Sequence, residues 1–276
     1  VRRTLHAGTY GLMTPTLRVA AAGDVHAGEP LRERLARVFA EISAEIDLIL
    51  LAGDLTTHGL PEQAAVLADA CASVEVPVIA VLGNHDHHSG QAEEVTSVLT
   101  RGGLVVLDRA HTILEVGVLD VGVVGTKGFV GGFPGAEIPD FGEPALRHIY
   151  QETTAEVDAL EQGLEAVAGC HKRIVLLHYA PIVDTIVGEP EGIWAFLGSG
   201  RLAGPIGMHR PELVVQKLTE VGVDRIVVTS SERSVVRGEG ERSDKHLDKL
   251  RRVAIEAAQQ CRRLWLPEVS VAPLSE

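Results

Sequence analysis

The sequence has few cysteines and no long apolar run. Its three cysteines, Cys71, Cys170 and Cys261, lie far apart, form no C-x-x-C pair and are odd in number, which argues against a disulfide-stapled scaffold. Such usage is typical of a reduced compartment, so we expect a cytoplasmic protein. No apolar stretch approaches the roughly 20 residues that a membrane helix needs, and we therefore expect no association with membranes.

Basic residues are also scarce, because 25 Lys and Arg stand against 38 Asp and Glu and leave a formal net charge of -13. The deficit lies in residues 1–204, with 13 basic and 27 acidic residues, whereas residues 205–276 have 12 and 11. Contact with nucleic-acid phosphates needs clustered Lys and Arg, so the first part is a poor candidate for such a surface. The change in charge balance indicates a second module, and residues 1–16 are interpreted as an extension.

Short apolar runs alternate with helical patterns over the first part of the chain. Helices are expected to begin at Pro30, Pro61 and Pro144, positions that proline tolerates in a first turn. The predicted strands are 17–22, 46–52, 77–82, 104–107, 112–116, 119–124 and 173–177. This alternation predicts an α/β fold with a parallel or mixed sheet and helices outside. The Gly- and Pro-rich stretch 125–142 is expected to be a long loop; its Lys127 could face a phosphate, but a solvated surface lysine is the favoured interpretation.

Polar side chains follow four of the predicted strands, at the point where each strand ends. They are Asp24 and His26, Asp54, Asn84 with His85 and Asp86, and His178. Taken singly, a Gly-Asp pair is usually a turn, and a histidine after a strand is usually a hydrogen-bonded rim residue. Because strand ends of an open α/β sheet gather its functional groups at one edge, the joint pattern favours a metal site.

These residue types suit a pair of divalent cations. Two such ions about 4 Å apart repel each other and need a shared carboxylate, for which Asp54 is the natural candidate. Asp24 and His26 would then bind one ion, and Asn84 and His178 the other. Mixed nitrogen and oxygen ligands favour Mn, Fe or Zn over Ca. His85 is not needed as a ligand and could protonate a leaving oxygen, with Asp86 orienting its ring.

Residues 17–206 resemble the calcineurin-like metallophosphoesterase superfamily through the motifs D-x-H, G-D, G-N-H-D and a later histidine. The resemblance implies two packed β-sheets flanked by helices, and hydrolysis of a phosphomonoester or phosphodiester by water activated at two divalent cations. The family's last motif, G-H-x-H, is absent, since residues 198–211 read GSGRLAGPIGMHRP. His209 lies in this stretch but has no second histidine two residues away, so it is either a substitute metal ligand or not a ligand. We expect weakened metal binding and an incomplete second sheet.

Residues 209–270 resemble a different family, the RNA methyltransferases that modify a uridine N3 in small-subunit ribosomal RNA and have a knotted SPOUT domain. The matching pieces are EVGVDRI at 220–226, ERS at 232–234, EAAQQ at 256–260, and Arg262 with Pro267 and Glu268. We therefore predict a phosphoesterase domain at 17–206 and a partial SPOUT-like α/β segment at 207–276, joined between Gly204 and Arg210.

The methyltransferase-like segment stops before the glycine-rich part of that family, so binding of S-adenosylmethionine is not expected. Its basic residues could contact RNA or form only a solvated face. They are Lys245, Lys249, Arg251, Arg252, Arg262 and Arg263. Three functions stay open at this point: a phosphoesterase with impaired activity, which is favoured; an RNA-binding, methyltransferase-related protein; and a metal-binding fusion without turnover. An uncovered strand edge would make oligomers plausible.

Overall fold

A computed structural model describes residues 16–43, 46–208, 225–230, 241–260 and 266–273. The chain forms two compact units, Val1–Leu202 and Ala203–Glu276. The domain boundaries expected from the sequence, at residues 17, 206 and 207, remain predictions.

Four parallel strands form the first sheet, in the order β1-β2-β3-β4. They are β1 (Val19–Ala22), β2 (Leu48–Ala52), β3 (Val78–Val81) and β4 (Val105–Val106). Three helices connect them: α1 (Arg32–Ser43), α2 (Pro61–Cys71) and α3 (Ala92–Arg101). Short 3-10 turns at Glu29–Leu31 and His85–His87 precede α1 and follow β3. Every connection joins the carboxyl end of one strand to the amino end of the next, so the loops after β1, β2 and β3 share one edge.

The second sheet has three strands in the order β5-β6-β7. The strands β5 (Ala110–Val116) and β6 (Leu119–Thr126) are antiparallel, and β7 (Lys172–Leu177) is parallel to β6. The long helix α4 (Pro144–Ala166) connects β6 to β7 and begins at Pro144, as predicted. Short helical segments follow β7 at Val183–Ile186, Glu191–Ile193, Trp194–Leu197 (α5) and Gly200–Leu202.

The central strands are apolar on both faces because both faces are covered. In β2, Leu48 and Leu50 pack in the cluster shared with the second sheet, whereas Ile49 and Leu51 pack in the cluster shared with α1, α2 and α3. The continuous apolar run at 46–52 therefore indicates a strand covered on both faces, as its pattern predicts. Two sheets packed face to face, with helices outside each, confirm the α/β fold class.

Helix α4 covers the outer face of the second sheet. Leu160 and Leu164 are buried there, and Gly163 brings the helix close to β6, since an added Cβ would lie 2.4 Å from Val124 Cγ1. Leu146, in the first turn of the helix, is 39% exposed although the helical spacing places it on the same face. The buried face of α4 therefore lies in the middle and at the end of the helix.

The second unit contains α6 (Ala203–Met208), β8 (Arg225–Ser230), α7 (Glu241–Gln260) and β9 (Glu268–Pro273). Strand β8 pairs in parallel with β9, and Leu250 and Ala254 of α7 pack with Val269. Serine is a favoured N-cap residue, which makes Ser243 the start of this helix that the sequence predicts, but the helix begins at Glu241. The sequence also predicts a helix from Pro211 to Val221, which lies outside the described residues. None of the helices in the described part of the chain combines the length and apolar character that crossing a bilayer requires.

Candidate metal centre

Backbone hydrogen bonds hold the loops after β1 and β2 side by side. The amide of Asp24 donates to the carbonyl of Gly53 at 3.1 Å, and the amide of His26 donates to the carbonyl of Asp54 at 2.9 Å. The parallel pairing of β1 with β2 therefore continues past the strand ends into the predicted ligand residues.

Three predicted ligands have left-handed backbone conformations. Asp24, His26 and Asp54 have φ angles of 53°, 45° and 49°. A side-chain-bearing residue in this region is disfavoured by about 1 kcal/mol or more. Such conformations persist where the surrounding structure enforces them, and they concentrate at functional sites. Here they bring two consecutive loops back over the strand ends, so that three ligand side chains converge.

The carboxylate of Asp54 lies at the centre of the cluster. Its Oδ2 is 4.0 Å from His26 Nε2 and 3.8 Å from His85 Nε2, whereas its Oδ1 is 3.4 Å from His178 Nε2. Asp54 is only 4% exposed, and Oδ1 also accepts the backbone amide of His85 at 2.9 Å. Each oxygen thus faces a different histidine, which is the arrangement that a bridging carboxylate requires.

On the Oδ1 side, His178 and Asn84 present lone pairs to the same point. The Nδ1–H of His178 donates to the carbonyl of Ala52 at 3.0 Å, since a carbonyl can only accept. In the neutral ring, Nε2 is then an acceptor, yet it lies 2.9 Å from another acceptor, Asn84 Oδ1. Two lone-pair atoms that close repel unless a proton or a cation lies between them, so these groups and Asp54 Oδ1 suit one metal ion.

On the Oδ2 side, the donors are Asp24, His26 and Asp54. Asp24 Oδ1 and His26 Nε2 are 4.0 Å apart, and the Asp24 side chain is 72% exposed. Ligand atoms bound at about 2.1 Å to one divalent cation are separated by about 3–4 Å. The spacings on both sides of Asp54 fit that range. His26, Asp54 and His85 also offer three ligand atoms that lie within 4.8 Å of one another.

Two glycines allow this close approach. A Cβ on Gly53 would lie 2.5 Å from the ring of His178, and a Cβ on Gly83 would lie 2.1 Å from Asp54 Oδ1. Gly53 also has a φ of 85°, which other residues rarely adopt. The G-D and G-N-H-D motifs therefore carry glycine because the ligands occupy the space of its missing side chain.

His85 follows β3 and points one ring nitrogen at the centre. Its Nδ1–H donates to the carbonyl of Thr57 at 2.8 Å, which leaves Nε2 directed towards Asp54. Asp86 was expected to orient this ring, and that expectation was wrong. Asp86 is fully buried and accepts hydrogen bonds from Leu55, Thr56 and Gly83. Thr57 orients the ring, whereas Asp86 ties the loop after β3 to the loop after β2.

Lys127 follows β6 and lies beside this centre. Its carbonyl accepts hydrogen bonds from the amides of His178 and Tyr179, at 3.2 and 3.0 Å. Its ammonium lies 4.4 Å from the ring centroid of Phe129 and 5.2 Å from that of Tyr179. Burial lowers the pKa of Lys127, and the negative charge of Glu156 opposes that shift. The interpretation of Lys127 as a solvated surface residue was therefore wrong, because the side chain is half-buried.

Glu156 of α4 fixes the start of the loop that carries Lys127. Its buried carboxylate accepts hydrogen bonds from Arg109 Nε at 3.0 Å, from the amide of Gly128 at 2.9 Å and from the hydroxyl of Thr126. The helical spacing of apolar residues in α4 does not reveal this glutamate. A buried carboxylate needs such partners, and here they come from two separate segments, the start of β5 and the end of β6.

The structure thus brings six predicted residues into one cluster and places Asp86 directly beneath it. The six are Asp24, His26, Asp54, Asn84, His85 and His178. His209 lies outside the described residues, and its role stays a prediction. The sequence did not point to Thr57 or Tyr179, although Tyr179 directly follows His178. Burial and the nearby charge of Asp54 raise the pKa of the Tyr179 hydroxyl.

Comparison with known families and structures shows what the two parts of the chain resemble. Residues 17–198 match the calcineurin-like phosphoesterase family, and residues 202–275 match the RNA methyltransferase domain family. Both resemblances are confirmed. Among solved structures, the protein TT1561 of Thermus thermophilus shares 18% identity over 79% of this chain and 84% of that chain, with a TM-score of 0.46. The phosphopantetheinyl hydrolase of Mycobacterium tuberculosis shares 13% identity over 67% of this chain and 76% of that chain, also with a TM-score of 0.46.

Proposed function

We propose that this chain, which belongs to the calcineurin-like phosphoesterase family, hydrolyses phosphoesters at a centre that binds two divalent cations. The observation that carries the proposal is the position of Asp54. Its two oxygens face different histidines, His178 at 3.4 Å and His26 at 4.0 Å. A carboxylate so placed can bridge two cations and offset their repulsion.

The ligand sets follow from the two sides of Asp54. Asp24 and His26 would hold one ion, and Asn84 and His178 the other. Mn, Fe or Zn suits these mixed nitrogen and oxygen donors. The ions, when bound, supply Lewis acidity that lowers the pKa of water and neutralises charge on the phosphoryl group.

His85 is proposed as the general acid. The bond from its Nδ1–H to Thr57 fixes the ring so that Nε2 faces the cluster, 3.8 Å from Asp54 Oδ2. An imidazolium proton on Nε2 can pass to the oxygen of the departing alcohol as the bond from phosphorus to that oxygen breaks. Histidine is the side chain that most often performs this step in enzymes. The protein needs no covalent intermediate in this scheme.

The test is metal-dependent hydrolysis by the Mn-loaded chain, with 4-nitrophenyl phosphate and bis(4-nitrophenyl) phosphate as probes. The expected result is turnover that chelation abolishes and that His85→Ala reduces by about 100-fold or more. His111→Ala is the matched control, since His111 is exposed on β5 and forms none of the contacts described for this cluster. Binding of Mn without any hydrolysis would instead support a metal-binding protein that has no turnover.

A second candidate function is RNA binding by the second unit, which the match of residues 202–275 to the RNA methyltransferase domain favours. On α7, Lys249, Arg251 and Arg252 are exposed, although Arg251 pairs with Asp248 at 3.6 Å. Binding to small-subunit ribosomal RNA should weaken steeply with salt and should weaken further in Arg252→Ala. Affinity that does not change with salt would rule out this candidate.

A further inference from the structure

Lys127 is a cation held at the edge of the centre by two aromatic rings. Its ammonium lies 4.4 Å from the centroid of Phe129 and 5.2 Å from that of Tyr179, and the Tyr179 ring is 5.4 Å from the ring of His178. Because Lys127 also accepts the amides of His178 and Tyr179 through its carbonyl, its backbone is fixed to the strand end that presents a metal ligand. The ammonium therefore contacts a ring, that of Tyr179, which itself contacts the ring of the proposed ligand His178.

The ammonium has little to bind within the protein. One hydrogen bond, to the carbonyl of Gly128 at 3.3 Å, is formed, and within the described ranges no carboxylate lies within 4.0 Å of it. Asp108, Glu152 and Glu156 act on the ammonium only through their charge. Arg109 pairs with Glu152, and Arg109, Thr126 and Gly128 occupy the oxygens of Glu156. Two of the three ammonium protons are thus free for a ligand.

The loops around Lys127 leave it beside the proposed metal ligands and not on an outer surface. Lys127 follows β6 and His178 follows β7, two parallel neighbours whose carboxyl ends meet at the same edge. Burial in that position disfavours a charge without a partner. An anion bound beside it would offset this penalty, while the rings of Phe129 and Tyr179 keep the ammonium in place.

We propose that Lys127 is a positioning residue that binds an anionic phosphoryl oxygen of the substrate beside the metal pair. The proposal rests on the proposed phosphoesterase function and narrows its substrate class to phosphoesters with a second negative charge. Two sources offer such an oxygen: the third oxygen of a phosphomonoester, or the next phosphate of a diphosphate. A simple diester has neither.

The experiment compares wild type, Lys127→Met and Lys127→Arg on three probes: 4-nitrophenyl phosphate, ADP-ribose and bis(4-nitrophenyl) phosphate. We expect Lys127→Met to raise KM by about 10-fold or more for a probe with the second charge, with kcat within about two-fold, since a ground-state contact is lost. Lys127→Arg should restore much of the affinity. Lys172→Met, an exposed lysine at the amino end of β7, is the control with the same change in charge.

The outcomes separate the two sources. If Lys127→Met raises KM only for 4-nitrophenyl phosphate, Lys127 binds the third oxygen of a monoester. If it raises KM only for ADP-ribose, Lys127 binds the adjacent phosphate. Equal KM values for wild type and Lys127→Met on every hydrolysed probe overturn the proposal. An equal rise in KM for all three probes, including bis(4-nitrophenyl) phosphate, also overturns the proposal, because the lysine would then support the fold and would not bind the second charge.

Binding of inorganic phosphate keeps the proposal testable if turnover is absent. Calorimetry on the Mn-loaded chain should show phosphate affinity reduced by about 10-fold in Lys127→Met. Wild-type protein that hydrolyses none of the probes but shows this difference would overturn the phosphoesterase function and support the role of Lys127. The same phosphate affinity in both proteins, with unchanged thermal unfolding, would contradict the role of Lys127.

Discussion

Asp86 and Thr56 join two loops that carry the centre. Asp86 Oδ1 accepts hydrogen bonds from the Thr56 amide at 2.8 Å and from the Thr56 hydroxyl at 2.6 Å. Its Oδ2 accepts the amides of Leu55 at 3.0 Å and Gly83 at 2.8 Å. A single buried carboxylate thus holds the segment with Asp54 against the segment that presents Asn84 and His85.

Replacing this carboxylate should destabilise the fold. Asp86→Ala leaves four donors without their acceptor, so we expect the free energy of unfolding to fall by about 3 kcal/mol, whereas Thr56→Val, which removes one hydroxyl, should lower it by about 1 kcal/mol. Urea unfolding curves measure both. Asp140→Ala, at an exposed loop position, is the control and should change stability by less than about 0.5 kcal/mol. If Asp86→Ala lowered the free energy of unfolding by less than about 0.5 kcal/mol, the Asp86 carboxylate would not hold the two loops together.

The backbone of Asp24 provides a separate test of stored strain. Asp24→Gly and Asp24→Ala remove the same exposed carboxylate, but only glycine is relaxed at a φ of 53°. In the metal-free protein, Asp24→Gly should therefore be more stable than Asp24→Ala by about 1 kcal/mol. Both variants should bind metal more weakly than wild type. Equal unfolding free energies would mean that the loop relaxes without strain.

Metal stoichiometry tests the shared role of Asp54. After loading with Mn and desalting, elemental analysis should give about two ions per chain in wild type and about one in either His26→Ala or His178→Ala. Asp54→Ala should retain almost none, since both ions lose a ligand and the bridge that offsets their repulsion. His111→Ala should behave as wild type. If Asp54→Ala lost only one ion, its carboxylate would not be a bridge.

Cys71 predicts a pH dependence of stability. Burial raises the pKa of this thiol from its ordinary 9.0 to about 12. Between these two pH values the folded state keeps the proton that the unfolded chain loses. The contribution of the thiol to the free energy of unfolding is therefore complete below about pH 9 and declines as the pH rises towards 12. Unfolding free energies of wild type and Cys71→Ala should run parallel below about pH 8 and converge above about pH 9.

Alkylation provides an independent check on the burial of Cys71. Cys71 is buried among apolar residues of α2, whereas Cys170 is partly exposed. Mass spectrometry after brief treatment with iodoacetamide at about pH 8 should find Cys170 modified and Cys71 unmodified in the folded protein, because the thiolate is the reactive form. Rapid modification of Cys71 without unfolding would contradict its environment.

The strands and the ligand cluster could be predicted because their signals are local. The run at 46–52 is apolar without alternation, which indicates a strand buried on both faces, and Gly53 with Asp54 marks its end. The pairing of parallel strands then brings Asp54 to the same edge as His26 and Asn84, whatever the details of the loops.

The role of Asp86 could not be predicted in the same way. The motif G-N-H-D places Asp86 next to His85 in sequence, and adjacency suggests that the carboxylate orients the ring. The 3-10 turn at His85–His87 instead directs Asp86 inward to Thr56, which is 30 residues away. Sequence spacing does not specify which way a side chain of such a short turn points.

The α/β architecture, the two-part composition of the chain and the residue types of a metal centre could all be read from the sequence, because apolar period and motif spacing are properties of short segments. The folded chain was needed to show that Thr57 and not Asp86 orients His85, and that Lys127 is half-buried between Phe129 and Tyr179. Those outcomes depend on contacts between segments distant in sequence, where the burial of a charge and the partner of a hydrogen bond are set by the packing of whole elements.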